Sequence, residues 1–255
     1  MQALYLKPHE EPLVRGTLRH QVTFRILTGV FQERFRSGAR LVVQRLCELY
    51  DVSPTPVREA LLELEAMGIV KSLPNRGAVV LPFGPLQVRE IGQVRRVLEV
   101  EATRCACGRI EPDALASLHA DVAALLGRPA GASRDHDARA CDTMLHGIIA
   151  ESCGSDRLTA EIHRYLTLFG ALRDVSHQRD AATNYSRSDD VLEHLEILDR
   201  LRERDPDGAA LAMDRHIRSA TKTVEEVMFS TPDLPPEADG HHRDEPILNR
   251  PLDVA

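Results

Sequence analysis

One short stretch limits the possible folds of this chain more than any other. It reads SPTPVREALLELEAMGIVKSLPNRGAVV and spans residues 53–80. Ser53 and Thr55 are good helix N-caps, and proline is tolerated in a first turn because its missing N–H would have no intrahelical partner there. We therefore predict a helix that begins at residues 54–56 and ends near Gly68, because glycine is favoured just beyond a helix C-terminus.

The second half of this stretch predicts a β-hairpin. The segments IVKSL and GAVVL are rich in branched apolar residues, and Asn75 and Gly77 between them suit a tight turn. Upstream, apolar residues four apart predict a helix from Leu13 to Phe31, and a short second helix fits Leu41–Tyr50. Three helices followed by a hairpin form a winged helix-turn-helix. The alternative is some other helical domain that ends in a hairpin.

The rest of the chain is almost wholly helical in its periodicity from Pro82 onward. Six segments with apolar spacing lie near residues 86–110, 113–127, 135–153, 156–176, 188–204 and 206–229. They predict an all-helical bundle, so the fold class is mainly α, with an N-terminal winged helix-turn-helix followed by the bundle. We divide the chain into a flexible arm, the winged helix, the bundle and a disordered tail, at residues 1–12, 13–81, 86–229 and 230–255.

Charge divides the chain near the same boundary. Residues 1–80 carry 11 Lys and Arg against 8 Asp and Glu, a net charge of +3, whereas residues 81–255 carry 21 against 31, a net charge of −10. A basic segment joined to an acidic body suits a partner such as nucleic acid.

Cysteine usage and hydropathy exclude several classes of protein. The 5 cysteines are odd in number and form no pair of CxxC motifs, which argues against a disulfide framework and a zinc ribbon. No basic and apolar leader opens the chain, and no apolar run approaches the ~20 residues that span a bilayer. We therefore expect reduced thiols and a cytoplasmic protein.

Several motifs resemble one family. The run VSPTPVREALLELEAMGIVKSLPNRGAVV resembles the DNA-binding motif of the GntR family of bacterial transcription regulators. The later runs EIGQVRRVLEVEA, DTMLHGIIAESCGSDRL, EHLEILDRL and MDRHIRSA are similar to the FCD ligand-binding domain of the FadR-like branch of that family. The resemblance covers about residues 13–229 and implies a DNA-binding domain followed by an effector-binding and dimerisation domain.

The resemblance and the docking geometry of helix-turn-helix proteins together indicate the DNA contacts. The second helix of the motif places its N-terminal residues at base edges in the major groove, which puts Arg58 beside a guanine or a phosphate. The wing would bring Arg76 to the DNA backbone or minor groove, with Gly77 allowing close approach. The predicted contact residues are Gln44, Arg45, Ser53, Thr55, Arg58, Arg76 and Gly77.

Two departures from the family pattern affect these contacts. Pro54 and Gln44 stand where the family usually has arginine. We therefore expect an altered operator sequence, and Gln44 can still pair with adenine. The alternative for Arg58 is a solvated surface residue paired with Glu59 or Glu63.

A set of polar residues lies on the apolar faces of the predicted bundle. Asp142 and His146 are four apart on one helix and can chelate one ion, and His194 and His216 lie on apolar stripes of later helices. The set resembles the Asp and three His of metal-bearing FCD domains. Such ligands suit Zn, Ni, Mn or Fe and leave coordination positions open for a small carboxylate effector. The alternative is a set of ordinary core histidines.

The resemblance also implies that Arg95 faces the effector, with its neighbour Arg96 towards solvent. A guanidinium is the natural partner of a carboxylate. The other histidines fit no ligand pattern and are predicted to be surface or packing residues: His119, His136, His163, His177, His241 and His242.

We therefore predict a ligand-responsive repressor and not an enzyme. A homodimer would bind a palindromic double-stranded DNA operator, and a small organic acid at the metal-containing pocket would release it. One alternative is a metal-dependent hydrolase that uses the Asp and His cluster. The sequence lacks a general base placed as in H-E-x-x-H, which argues against this alternative. Another is a helical domain that only dimerises.

Overall fold

The structure, a computed structural model, describes residues 18–74, 76–129, 131–180 and 188–229. The mainly α fold class is confirmed, while the predicted arm and tail lie outside the described residues. The elements are α1 (Leu18–Phe31), β1 (Arg40–Leu41), α2 (Val43–Tyr50), α3 (Pro54–Ala66), β2 (Val70–Leu73), β3 (Gly77–Val80), α4 (Pro85–Ala106), α5 (Pro112–Ala123), α6 (Ala132–Ser152), α7 (Asp156–Asp180), α8 (Ser188–Arg202) and α9 (Pro206–Phe229).

The N-terminal unit is a winged helix with a three-stranded antiparallel sheet in the order β1-β3-β2. Strands β2 and β3 are the predicted hairpin, with Val70 opposite Val80. Strand β1 was not predicted, and the helix expected from Leu41 begins instead at Val43. The reason is that Leu41 pairs with Ala78 of β3 and buries its side chain in the core.

The bundle contains the six predicted helices, α4 to α9, and their bounds agree closely with the apolar periodicity. Helix α4 packs along α9, and α9 packs against α8. The N-terminus of α4 is defined by Pro85 in the first turn and by the Gln87 side chain, whose oxygen accepts the Gly84 N–H at 2.9 Å.

All five cysteines are free thiols. Within the described ranges, no helix combines the length and apolarity needed to cross a membrane.

The winged helix and the bundle share one apolar cluster. Ile26 and Leu27 of α1 lie in the same buried cluster as Leu168 and Leu172 of α7. Because this shared surface is apolar and buried, the DNA-binding unit is packed directly against α7 and is not joined to the bundle by the chain connection alone. The sequence analysis did not predict this contact.

Candidate functional site

The predicted DNA contacts in the helix-turn-helix lie at the surface of the winged helix. Helix α3 begins at Pro54 with Ser53 as its N-cap residue, and the Ser53 side chain makes no capping hydrogen bond. Five of the predicted contacts are exposed: Gln44, Arg45, Ser53, Thr55 and Arg58. This arrangement leaves polar groups at the start of α3 open to a phosphate backbone.

The alternative interpretation of Arg58 was a solvated surface residue paired with Glu59 or Glu63. Glu63 instead accepts a hydrogen bond from Thr23 at 3.0 Å and lies 3.5 Å from Arg19. Among the described residues, Arg58 forms no ion pair with Glu59 or with Glu63. Its guanidinium is therefore available to DNA.

The wing is held in place by the first strand. Arg76 is exposed at the hairpin turn, and its carbonyl accepts a hydrogen bond from Arg40 Nε at 3.0 Å. Asn75, predicted to form this turn, lies outside the described residues. Gly77 has a φ of +83°, and a Cβ there would lie 2.0 Å from the carbonyl oxygen of Leu41. The close approach between β3 and β1 therefore requires glycine at this position. This internal contact is sufficient to explain why residue 77 is glycine, without a contact to DNA.

Four buried side chains converge inside the bundle. Asp142 and His146 come from α6, His194 from α8 and His216 from α9, and each offers a ligand atom within 4.8 Å of the others. The Nε2 atom of His216 lies 3.3 Å from Nε2 of both other histidines. Asp142 Oδ1 lies 3.3 Å from Nε2 of His194. We call these four residues the Asp-His cluster.

Carboxylates outside the cluster fix the orientation and the tautomer of two of its imidazoles. The Nδ1 atom of His216 donates to Glu193 Oε2 at 2.9 Å, and the Nδ1 atom of His146 donates to Glu99 Oε2. Burial and the nearby charge of His194 lower the pKa of His216 to about 4, so this ring is neutral at pH 7. A neutral ring that donates from Nδ1 has a lone pair on Nε2.

These protonation states make the cluster fit a metal ion. The Nε2 atoms of His146 and His216 lie 3.3 Å apart, and a cation between them would accept a lone pair from each ring. Ligands that each lie about 2.0–2.1 Å from one tetrahedral zinc ion are roughly 3.3–3.4 Å apart. Three imidazoles and a carboxylate form a donor set that suits Zn and its transition-metal neighbours. The cluster could therefore hold a metal ion, and its outer carboxylates would orient the ligands.

The carboxylates of the site are ionised despite their burial. Burial alone would raise the pKa of Glu99, but Arg95 and then His146 lower it to about 2. Burial would likewise raise the pKa of Asp142, yet Arg173, His146 and His194 hold it well below its usual range. Arg95 Nε donates to Glu99 Oε1 at 2.7 Å, and Arg173 forms an ion pair with Asp142 Oδ1.

A cavity adjoins the Asp-His cluster. Its lining includes two members of the cluster, Asp142 and His194, together with charged and polar side chains from α6, α7 and α8: Asp135, Arg139, Arg173, His177 and Asp190. Burial raises the pKa of Asp190 above its usual value. The cavity gives a small polar molecule a place beside two of the four ligand atoms.

Arg95 lies outside the lining of this cavity. It is buried behind His146, bound to Glu99 and stacked over the ring of Phe169 at 4.1 Å, and it is not among the residues that line the cavity. Its Nη1 atom has no hydrogen-bond partner in the described part of the chain. A direct contact between Arg95 and the effector therefore stays a prediction. Arg96 is half-exposed and pairs with Asp214 at 2.9 Å.

The sequence analysis missed several residues of the site. Glu193 immediately precedes His194, and Glu99 lies one helical turn after Arg95, but neither spacing identifies the histidine that each carboxylate meets. His177, predicted to be a surface or packing residue, lines the cavity. A detectable signal existed for Arg173, because it is a charged residue between apolar residues of an inward-facing stripe of α7.

Known proteins agree with this architecture. Residues 18–80 match the model of bacterial regulatory proteins of the gntR family, and residues 90–219 match that of the FCD domain. The HTH-type transcriptional regulator McbR of Escherichia coli strain K12 is 34% identical over 105 residues, which are 41% of this chain and 44% of McbR. The sequence match thus spans less than half of McbR.

Two further comparisons extend over most of the chain. The HTH-type transcriptional repressor RspR of E. coli strain K12 is 23% identical over 194 residues, which are 74% of this chain and 81% of RspR. The solved structure of E. coli McbR/YncC has a TM-score of 0.62 and 20% identity, and it covers 83% of this chain and 98% of its own, which shows a common fold. The two adjoining family matches confirm the predicted resemblance, and the chain belongs to the GntR family of bacterial regulatory proteins and carries an FCD domain.

Proposed function

We propose that this DNA-binding transcription regulator is a repressor whose operator affinity is controlled by a small carboxylate metabolite at a metal ion in the bundle. The observation that carries the proposal is the convergence of Asp142, His146, His194 and His216, with ligand atoms within 4.8 Å of one another. A bound divalent ion would supply a Lewis acid that attracts a carboxylate. The side chains around the cluster would orient its ligands and exclude water.

Two observations support control of the DNA-binding unit from this site. Helix α7 carries Arg173 at the cavity and, about one and a half turns later, contacts the C-terminal end of α1 in the winged helix. Gln32, the residue after α1, donates to Gln178 at 2.7 Å, and Arg179 donates to the carbonyls of Phe31 at 3.1 Å and Met228 at 2.8 Å. The chain segment 81–86 between β3 and α4 is a second connection. A ligand that shifts α7 would therefore move the winged helix.

The proposal includes a homodimer on a palindromic operator. Helix α4 exposes Leu86, Val94 and Val97, and its neighbour α9 exposes Leu211. Burial of these side chains against a second copy would be favourable, and two symmetric winged helices would read half-sites about one DNA turn apart. The direction of regulation draws on RspR, which is named a repressor.

Metal analysis of purified protein tests the proposal. The wild type should retain about one divalent ion per chain after gel filtration, because neutral imidazoles and a carboxylate bind Zn²⁺ strongly. The double variant His194→Ala/His216→Ala should lose it and should lose any effector response. His163→Ala is the control, since His163 is exposed and lies 4.0 Å from Glu151 outside the cluster. Equal metal content in the wild type and the double variant would refute the proposed ligands.

Two alternative functions have distinct outcomes. A metal-dependent hydrolase would convert generic ester, phosphate or amide substrates when loaded with metal, and the double variant would lose that turnover. A bundle that only dimerises would show the same thermal unfolding with zinc and with a chelator. Arg58 on α3 supports the regulator over both, because it is exposed and forms no ion pair with the residues that the structure describes.

A further inference from the structure

The cavity beside the Asp-His cluster has two guanidinium groups in its lining. Arg173 and Arg139 both line it, together with Asp142 and His194 of the cluster. Arg139 lies near the mouth, with a side chain that is 35% exposed and an Nε atom 3.9 Å from Asp174. Arg173 lies deeper, with 15% of its side chain exposed. Together with a divalent ion in the cluster, the two guanidinium groups would carry four positive charges against the three carboxylates of the lining, Asp135, Asp142 and Asp190, and this balance suits an anionic ligand.

Arg173 shares a single carboxylate oxygen with the cluster. Its Nη1 atom pairs with Asp142 Oδ1, the same atom that lies 3.3 Å from His194 Nε2 and 3.8 Å from His146 Nε2. A metal ion held by the cluster would take this oxygen as a ligand and would repel the adjacent guanidinium. Metal binding and the Arg173 ion pair therefore compete for one atom.

Arg173 also has an unused hydrogen-bond donor. Its Nε atom is buried and has no hydrogen-bond partner in the part of the chain that the structure describes. Buried guanidinium donors are normally satisfied, so an unpaired one in the wall of a cavity marks a place where a ligand oxygen can bind. The Nε atom of Arg95, by contrast, donates to Glu99, and Arg95 does not line the cavity.

We propose that Arg173 is the main anion-binding residue of this cavity and that the ligand is a short dicarboxylic acid. One carboxylate would bind Arg173 beside the Asp-His cluster, and the second would reach Arg139 at the mouth. Metal binding weakens the hold of Asp142 on Arg173 and so makes its guanidinium available to the ligand. This inference rests on the proposed metal site and identifies the ligand class and the residue that selects it.

The test measures Zn²⁺ and carboxylate binding separately by isothermal titration calorimetry. The probes are Zn²⁺, then succinate and butyrate, which have the same number of carbons, on the zinc-loaded protein. Succinate should bind at least about 10-fold more tightly than butyrate, because only succinate offers a second carboxylate for a charge-assisted hydrogen bond. Arg139→Gln should remove most of this preference.

Arg173→Gln should shift the two affinities in opposite directions. Zn²⁺ affinity should rise by about 10-fold, because the competing cation leaves Asp142, whereas succinate affinity should fall by about 10- to 100-fold. A variant that merely perturbs the fold would lower both. Arg173→Lys should retain part of the succinate binding, and Arg96→Gln, which removes an ion pair outside the cavity, should change neither affinity.

The outcomes distinguish a failure of this inference from a failure of the proposed metal site. A wild type that binds no Zn²⁺ overturns both. A wild type that binds Zn²⁺ overturns the inference alone if Arg173→Gln binds less Zn²⁺, if that variant retains full succinate affinity, or if succinate and butyrate bind equally.

Discussion

Replacement of Gly77 by alanine should destabilise the protein far more than the same replacement at Gly68. Both glycines have left-handed backbones, with φ of +83° and +72°. That conformation costs an alanine about 1–2 kcal/mol at either position. At Gly68 nothing lies within 4 Å of the added Cβ, so no further cost arises there.

At Gly77 the added Cβ collides with backbone. It would lie 2.0 Å from Leu41 O, so β1 must move by about 1.4 Å to reach an ordinary contact distance. That movement breaks the pairing beside it, where Val80 N–H donates to Ala39 O at 3.0 Å and Gly38 N–H donates to Val80 O at 2.9 Å. Two lost hydrogen bonds add about 1–3 kcal/mol, which gives a total of about 2–5 kcal/mol for Gly77→Ala.

Urea unfolding followed by far-UV circular dichroism measures both free energies of unfolding. Because the winged helix and α7 share one apolar cluster, loss of the sheet should register in the global transition. Gly77→Ala should also weaken DNA binding, since β1 supports the wing that carries Arg76. Equal destabilisation by the two variants would refute the reasoning from the close contact.

Three further variants test the DNA contact, the metal ligands and the dimer. Arg58→Ala should reduce operator affinity by about 1–3 kcal/mol in fluorescence anisotropy, because a base or phosphate loses its cation. Glu99→Gln should reduce Zn²⁺ affinity by about 10- to 100-fold in calorimetry, because His146 loses the carboxylate that orients it. Val97→Glu should convert the dimer to a monomer in light scattering, because a charge enters the proposed apolar interface.

Matched controls accompany these variants. Arg157→Ala removes an exposed arginine of α7 and should leave operator affinity unchanged. Glu101→Gln removes an exposed carboxylate of α4 that pairs with Arg104, and Leu192→Glu places a charge on the exposed face of α8. A control that equals its partner variant in effect would contradict the corresponding assignment.

The sequence could predict features that depend on local spacing. Helix α9 was expected at 206–229 and occurs at Pro206–Phe229, since its apolar periodicity is uninterrupted between a proline start and the polar tail. Asp142 and His146 could be paired because four residues on a helix bring side chains together. The inward position of His194 followed from its apolar neighbours, and His194 is 4% exposed.

Features that depend on contacts between distant residues could not be predicted. Glu99 meets His146 across 47 positions of sequence, and no local pattern identifies such a partner. Strand β1 has only two residues, too few for any alternation to be visible. The packing of α1 on α7 depends on tertiary structure, because an apolar face shows that something covers it without identifying what does.

The most direct test of the central claim links metal, ligand and DNA in one titration. Genomic fragments selected on the purified protein supply the operator, and anisotropy then follows its release by a mixture of short mono- and dicarboxylic acids. We predict that the zinc-loaded protein releases the operator as acid is added and that the chelated protein does not respond. The same response from both forms would contradict a metal-dependent effector site in this regulator.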